Sequence, residues 1–512
     1  MVTTVLSVML FLACATDAFA APSSRPHIVF IIADDLYYVS PICSPTRSAI
    51  MTGRHPIHTG MQVGVIGGAT PYGLPLNETI MAQHLEPLGY RRHIVGKWHL
   101  GFFSDAYLPT KRGFESHFGY YTGHEDYFDH EAQDGFWGLD IHRDGVTQWD
   151  LFGNFSTEMY TQEAENIVHN HNASEPLFLY LAHQAVHAGN GPDPLQVPQS
   201  YVDRFSGKIN DVKRRIFAGM VSALDDSVGR VVAALKETGL LENTIIVFTT
   251  DNGGPTNNYD GNAACNWPLR GVKNTMWEGG VRGVGLINSP LLGSTSYISE
   301  NFFHVTDWLP TLYRAAGGDP STLKNLDGYD MFDMLRKNGS QVRTEVLHNI
   351  DPVNNFSAIR VGDYKLVTGH ISNNDNSWYP PPELSSPPDA EKNNDVLKFS
   401  SELKVNKKTT DLSVSQESQG RSPGSGQAIV VNCGPKPLNA SVNCVPEKSP
   451  CLFHIPSDPC EYNNLAGMYP DKVQELLKRI DQYRSTMVPP GNKPKDPKGD
   501  PFLHGGDWKP WM

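Results

Sequence analysis

Residues 27–54 read "HIVFIIADDLYYVSPICSPTRSAIMTGR". The opening "HIVFII" is a short apolar run of the kind found in a strand buried on both faces. It ends in two acids, Asp34 and Asp35. Eight positions after Asp35 comes Cys43, followed by Pro45 and Arg47 and then by a short helical pattern that stops near Gly53. Proline is at home in a first helical turn, so Cys43 is expected at a helix N-terminus, where backbone N–H groups favour an anion. Arg47, one turn on, can hold that residue or an anionic substrate.

Working outward, strand and helix patterns alternate through the first two-thirds of the chain. "RRHIVGKWH" and "PLFLYLA" read as strands, "TIMAQHLEPLGY" as a helix ending near Gly89, and "NTIIVFTTDNGG" as a strand closing in a polar, glycine-rich turn. Residues 211–237 carry Ile216, Phe217, Met220, Val221, Leu224, Val228, Val231 and Leu235 at helical spacing. "TDWLPTLYRAAGG" predicts a helix capped by Thr306. Such alternation implies an α/β fold, a parallel-rich sheet flanked by helices.

The pattern changes around residue 345. "SAIRVGDYKLV" predicts a hairpin turning at Gly362-Asp363, and "DKVQELLKRIDQY" an amphipathic helix with Val473, Leu476, Leu477, Ile480 and Tyr483 on one stripe. The division expected is residues 21–345 as a catalytic domain and 346–512 as a smaller C-terminal α+β domain, with a polar insertion at about 371–428.

Residues 1–20 read as a signal peptide, with the apolar core "VLSVMLFLACA" and the cleavage pattern Ala18-Phe19-Ala20. Six N-x-[ST] sequons fit a secreted or lysosomal glycoprotein: Asn77, Asn154, Asn172, Asn338, Asn355 and Asn439. Cys433, Cys444, Cys451 and Cys460 are expected to pair as disulfides, in any of three ways. The net charge of -13 shows no basic balance, so nucleic acid is not an expected partner. No later segment has the roughly 18 apolar residues of a membrane span.

In an open parallel sheet, ligands sit beyond the carboxyl ends of the strands. Two strands here end in oxygen donors: Asp34 and Asp35 after one, Asp251 and Asn252 after the other. Either pair alone can merely cap a turn. Together they suit a hard divalent cation such as calcium. His183 and His187 lie four residues apart, but no third zinc ligand accompanies them. A serine hydrolase is not indicated, because there is no G-x-S-x-G elbow.

Cys-x-Pro-Thr-Arg followed by "SAIMTGR" resembles the sulfatase signature, with Thr46 standing where the usual pentapeptide has serine. "GKWHLG", "TDNGG" and "NWPLRGVKNTMWEGGVRGVG" are similar to further motifs of that family. "KRGFESHFGYYTGHEDYFDHE", "LFLYLAHQAVH", "LHNIDP" and the terminal "PWM" resemble its arylsulfatase B (N-acetylgalactosamine-4-sulfatase) branch.

The resemblance implies an alkaline-phosphatase-like sulfatase fold and hydrolysis of sulfate esters, with a sulfated glycosaminoglycan or an aryl sulfate as substrate. It implies that a formylglycine-generating enzyme oxidises Cys43 to formylglycine, whose hydrate attacks sulfur. One calcium ion would be held by Asp34, Asp35, Asp251, Asn252 and the modified Cys43. Arg47 and Lys97 would hold the modified residue and the sulfate. His99 would assist proton transfer, and His187 and Lys273 would bind sulfate and help the leaving oxygen depart. The runner-up hydrolase on the same scaffold is a phosphodiesterase or phosphonate hydrolase.

One departure stands out. In sulfatases a loop, a helix and a strand separate the acid pair from the cysteine. Here "ADDL" runs directly into "YYVSPIC". A βαβ unit takes roughly 30 residues and a bare parallel crossover about a dozen, so that unit is absent after Leu36. Eight extended residues reach at most about 26–29 Å, enough to return the cysteine to the metal. The expectation is a complete set of site residues on a scaffold with exposed apolar surface and an unpaired edge. The alternative to an active enzyme is therefore an inactive or unstable short isoform.

Overall fold

The computed structural model describes residues 25–256, 258–293, 296–371, 376–381 and 431–512. The expected signal peptide and nearly all of the polar insertion lie outside the described residues.

The opening apolar run is strand β1 (His27–Ala33), buried throughout. The larger sheet further contains β2 (Arg91–Gly96) and β3 (Ser116–Gly119). A small hairpin, β4 (Glu131–Gln133) and β5 (Trp137–Leu139), stands apart from it. The sheet continues with β6 (His142–Arg143), β7 (Val146–Thr147), β8 (Leu177–Ala182), β9 (Thr244–Thr250) and β10 (Gly285–Asn288). Its order is β10-β9-β1-β8-β2-β3-β6-β7. The middle is parallel, and β10, β6 and β7 run antiparallel.

β1 lies between β8 and β9, and its alternating side chains feed two cores. Ile28, Phe30 and Ile32 face α1 (Cys43–Thr52), which contributes Ala49, Ile50 and Met51, together with Trp308, Leu309 and Leu312. Val29 and Ile31 face α2 (Ser156–His169) and α3 (Val212–Glu237), through Tyr160, Val231 and Leu235. Burial of both faces explains why the run is apolar without alternation.

The helix α4 (Trp308–Ala315) follows a short turn, and here the structure corrects one expectation. Thr306 is not the cap. The His304 ring accepts from Thr306 N–H, and the Asp307 carboxylate accepts from His304 N–H at 2.8 Å. Asp307 is drawn into that position by Arg343, a partner 36 residues away in sequence.

The C-terminal part is a four-stranded antiparallel sheet, β11 (Glu345–Asp351), β12 (Phe356–Val361), β13 (Tyr364–Gly369) and β14 (Cys451–His454). The hairpin turns at Gly362-Asp363, with Gly362 at φ 53°. Helix α5 (Pro470–Thr486) covers one face through Val473, Leu476 and Ile480. The other face meets Met276 and Trp277 of the larger domain. At that seam Lys365 Nζ lies 2.9 Å from both Glu278 and Glu461, all three fully buried. Arg270 stacks 3.6 Å over Trp277 and 4.7 Å over Trp378. The cysteines pair as Cys433–Cys460 and Cys444–Cys451.

The short connection after β1 is visible in detail. Asp35 takes a left-handed conformation (φ 55°) and turns the chain out of the sheet. Tyr37 to Val39 then thread between two segments: Tyr37 exchanges backbone hydrogen bonds with Gly283, and Tyr38 with Phe303 and Val305. The Tyr37 ring packs edge-on against Phe303 and Trp308. β10 is left at the end of the sheet, with Leu286 53% and Val284 49% exposed. Among the described residues no strand covers that edge.

Two outcomes follow from these contacts. Leu286→Lys places a charge on the bare edge, the usual natural protection against strand-to-strand association. It is expected to lower the self-associated fraction in sedimentation velocity while changing stability by less than about 0.5 kcal/mol. His55 is buried, donates from Nε2 to Leu347 O at 3.0 Å, and accepts at Nδ1 from Ile57 N–H. Burial lowers its pKa from 6.5 to about 4. The folded state prefers the neutral ring, so its contribution is complete above pH 6.5 and lost as pH falls towards 4. That contribution is about 3 kcal/mol by linkage. A shallower fall in Tm for His55→Gln than for the parent across this window is the expected result.

Candidate active site

Ala33 and Thr250 are register partners at the ends of β1 and β9, so the residues that follow them emerge side by side. Asp34, Asp35, Asp251 and Asn252 are all fully buried. The crowding needs glycine: a Cβ on Gly253 would lie 1.8 Å from Gly279 O. On the neighbouring strand a Cβ on Gly96 would lie 2.0 Å from Ala182 O, and this close approach brings Lys97 to the same strand ends.

Helix α1 presents Cys43 at its first position. Its Sγ lies 3.8 Å from Asp34 Oδ1. Arg47, one turn later, donates from Nε and Nη2 to Asp251 Oδ2 at 3.1 and 2.9 Å, and its Nη2 lies 3.5 Å from Asp34. Lys97 Nζ donates to Asp34 Oδ2 at 2.5 Å. Lys273 Nζ lies 3.0 Å from Asp35 Oδ1 and 2.9 Å from His187 Nε2. His187 Nδ1 is 2.7 Å from Ala188 O, which fixes the tautomer: Nδ1–H donates, and Nε2 accepts from Lys273. His99 takes a left-handed backbone conformation (φ 53°) and donates from Nε2 to Ile66 O at 3.0 Å. All the site residues expected from sequence are thus brought together. His183 is not part of this group, because its Nε2 is 3.0 Å from Ser227 Oγ.

Burial and charge set the protonation states. Burial alone would raise Asp34, but Lys97, with His187, Arg47 and Lys273 behind it, holds it far below the carboxylate range. Burial raises Asp35 to about 6 against the pull of Lys273. Burial and the charge of Asp34 raise Asp251 to about 7. Burial pushes the Cys43 thiol up to about 12, so an unmodified Cys43 is a poor nucleophile at neutral pH. His187 is kept neutral by burial and by Lys273, and His99 by burial, Lys97 and Arg47.

The carboxylates here suit a hard divalent cation, although the closest donor group includes His187 and leaves out the expected ligand Asp251, whose Oδ2 is held by Arg47. Ligand atoms of Asp34, Asp35, Cys43 and His187 lie within 4.8 Å of one another. Asn252 Oδ1 is buried with no partner among the described residues, an acceptor that a cation would satisfy. Arg47 Nη1 and His99 Nδ1 are buried without partners in the same way, so hydrogen-bonding capacity is left over beside residue 43.

Two neighbours were not singled out from sequence. The Asp260 carboxylate lies 3.3 Å from Lys273 Nζ. The His124 ring is parallel to His187, with centroids 5.6 Å apart. Asp260 sits in a loop without any motif, and nothing in its spacing signals the contact. His124 lies inside the stretch "GYYTGHEDYFDHE", whose density of histidine and acid was the available signal.

The family model described as Sulfatase matches residues 30–318. Mouse arylsulfatase J is 36% identical over 547 aligned positions, covering 97% of this chain and 82% of that protein. Human arylsulfatase A is 32% identical, covering 65% of this chain and 66% of that one. Mouse N-acetylgalactosamine-6-sulfatase is 29% identical, covering 67% and 65%. Among solved structures, Ps i-CgsB superposes with a TM-score of 0.68 at 22% identity, covering 91% of this chain and 94% of the other. PsFucS1 sulfatase from Pseudoalteromonas superposes with a TM-score of 0.60 at 19% identity, covering 92% of each. At these identities the structural likeness shows the fold.

Lys97→Met leaves Asp34 buried without its nearest cation. Breaking a buried pair from one side costs about 3–5 kcal/mol, and a loss of that size is expected in urea unfolding of the metal-free protein.

Proposed function

The chain belongs to the sulfatase family and is a sulfuric ester hydrolase, and from that premise we propose that it removes sulfate from N-acetylgalactosamine 4-sulfate groups of glycosaminoglycans. The observation that carries the site assignment is the assembly of Cys43, Arg47, Lys97, His99, His187 and Lys273 around the buried Asp34, Asp35 and Asp251. The choice of sugar rests on the sequence stretches that resemble arylsulfatase B, whereas the relatives found are arylsulfatases J and A and N-acetylgalactosamine-6-sulfatase.

Asp34, Asp35, Asp251 and Asn252 would hold calcium. Formylglycine made from Cys43 would supply the hydrated aldehyde as nucleophile, and calcium the positive charge that polarises the sulfate. The chain's own side chains do the rest. Arg47 locks Asp251 with two N–H donors, and Lys97 locks Asp34. His99, with a free Nδ1, accepts a proton at residue 43. Lys273 donates to His187 Nε2, and its ammonium is the group that gives a proton to the leaving oxygen. His187 is held in the required tautomer by Ala188 O.

The secretory pathway, ending in the lysosome or outside the cell, is supported by the two disulfides and by exposure of all six sequon asparagines. A second reading is favoured by the bare edge of β10: a short isoform whose catalytic residues assemble on a weakened scaffold. The alignment with arylsulfatase J supports a missing segment, since it runs over more positions than this chain has residues.

The test joins chemistry to modification. Mass spectrometry of the peptide containing residue 43 is expected to show the aldehyde in protein from a secretory host. Hydrolysis of an aryl sulfate is expected to disappear in Cys43→Ala and after chelation, and to return with calcium in the chelated parent alone. A thiol at residue 43 in active protein would sink the formylglycine assignment. Turnover of an aryl phosphate without any sulfatase activity would point to a phosphodiesterase. A folded, modified but inactive protein would favour the inactive isoform.

A further inference from the structure

We propose that an N-linked glycan on Asn172 folds back into a polar cleft at the pole of the larger domain opposite the catalytic pocket, where its first sugars complete the surface. This goes beyond the sulfatase reading and rests on the secretory route alone. The cleft has a volume of about 450 Å³, within the range of ordinary ligand sites. It is lined from three directions: by Arg91, His93 and Ser116 at the amino ends of β2 and β3, by Asn166 near the end of α2, and by the turn that carries Asn172 towards β8. The catalytic residues follow the carboxyl ends of the parallel strands, so about 20 Å of sheet separates them from the cleft.

Three features point to a sugar that the chain itself delivers. The attachment atom belongs to the cleft wall. Asn172 opens the sequon Asn172-Ala173-Ser174 and is exposed. Its Oδ1 accepts from the Ser174 N–H at 3.2 Å and from the Ser174 hydroxyl at 2.9 Å, which fixes the amide plane. Its Nδ2 donates to Glu175 Oε2 at 3.2 Å, and Glu175 also lines the cleft, so the glycan leaves Asn172 beside it. A glycosylated amide keeps one N–H for that contact. Next, the charges of the lining are paired within the protein. Arg91 Nε lies 3.0 Å from Glu115, and Glu163 accepts from Arg143 at 2.7 and 2.8 Å. His93 is neutral, since burial lowers its pKa to about 4, and its Nδ1 lies 2.8 Å from Ser116 Oγ. With the exposed amide of Asn166 and the half-buried Ile167, this wall suits the uncharged hydroxyls, acetamide and C–H face of N-acetylglucosamine. Finally, the tether makes the encounter intramolecular. The effective concentration is then millimolar, and a modest fit suffices to fill the cleft. Attachment joins Nδ2 to the anomeric carbon of a lipid-pyrophosphate-linked oligosaccharide. The C–N bond forms as the C–O bond to pyrophosphate breaks, the lipid pyrophosphate leaves with the bonding pair, and Nδ2 gives up one proton to a base.

The experiment treats the full chain, secreted from a glycosylating host, with a peptide N-glycosidase and follows each sequon by mass spectrometry. A glycan seated in a cleft is cut only when it swings out, so release from native Asn172 is expected to be about tenfold slower than from the other occupied sequons. After denaturation the rates are expected to converge. Asn166→Trp narrows the cleft without touching the sequon and is expected to bring native release at Asn172 up to the rate of the others. Hydrogen exchange needs no cleft variant: amides of residues 166–172 are expected to exchange more slowly in the parent than in Asn172→Gln, with kcat/KM for an aryl sulfate equal in both. A glycan on Asn172 that is released as fast as the rest, or that leaves exchange of those amides unchanged, overturns the seat. Glycans on other sequons but none on Asn172 overturn it too, while leaving the secretory reading intact. No glycan on any of the six sinks both.

Discussion

Everything at the site depends on balancing three carboxylates that two parallel strands deliver into a space closed to water. Asp34, Asp35 and Asp251 arrive from the ends of β1 and β9. Arg47, Lys97 and Lys273 come from three other places in the chain, and each engages a carboxylate. Buried charge is tolerated only when it is paired and hydrogen-bonded. The balance is uneven. Asp34 has two cations against it, while burial leaves Asp35 and Asp251 easy to protonate. Positive charge added between those two would find a ready counterpart, which is what a cation site requires.

The framework of this arrangement was legible because it is local. β1 and β9 announce themselves as apolar runs ending in oxygen donors, and Cys43, Pro45 and Gly53 mark a helix start and stop. Contacts set by loops arriving from elsewhere were not legible. Asp260 reaches Lys273 from a segment with no periodicity, and His124 meets His187 across two separate loops. Thr306 shows the same limit on a smaller scale: it has the chemistry of a cap, but Arg343 gives that place to Asp307. Pairing of the four late cysteines was likewise a matter of three-dimensional proximity.

The connection after Leu36 divides into a part that reasoning from chain length reaches and a part that it does not. Eight residues suffice to bring Cys43 back to Asp34, and they do. The unforeseen element is how well Tyr37 and Tyr38 fill their surroundings. Tyr37 packs on Phe303 and Trp308, and Tyr38 donates to Glu278 at 3.0 Å and lies edge-on to His348. β10 ends the sheet, and Leu286 on it is half exposed.

The buried trio of Lys365, Glu278 and Glu461 has a consequence beyond joining two domains. Glu278 lies five residues after Lys273, and Arg270 lies three before it, held between Trp277 and Trp378. The segment carrying the site lysine is therefore gripped at both ends by the C-terminal part of the chain. The small sheet, which contributes no group to the chemistry, acts as the mould in which the lysine loop sets. Damage there would reach the pocket as a misplaced ammonium group, long before it was felt as loss of the larger domain's own core.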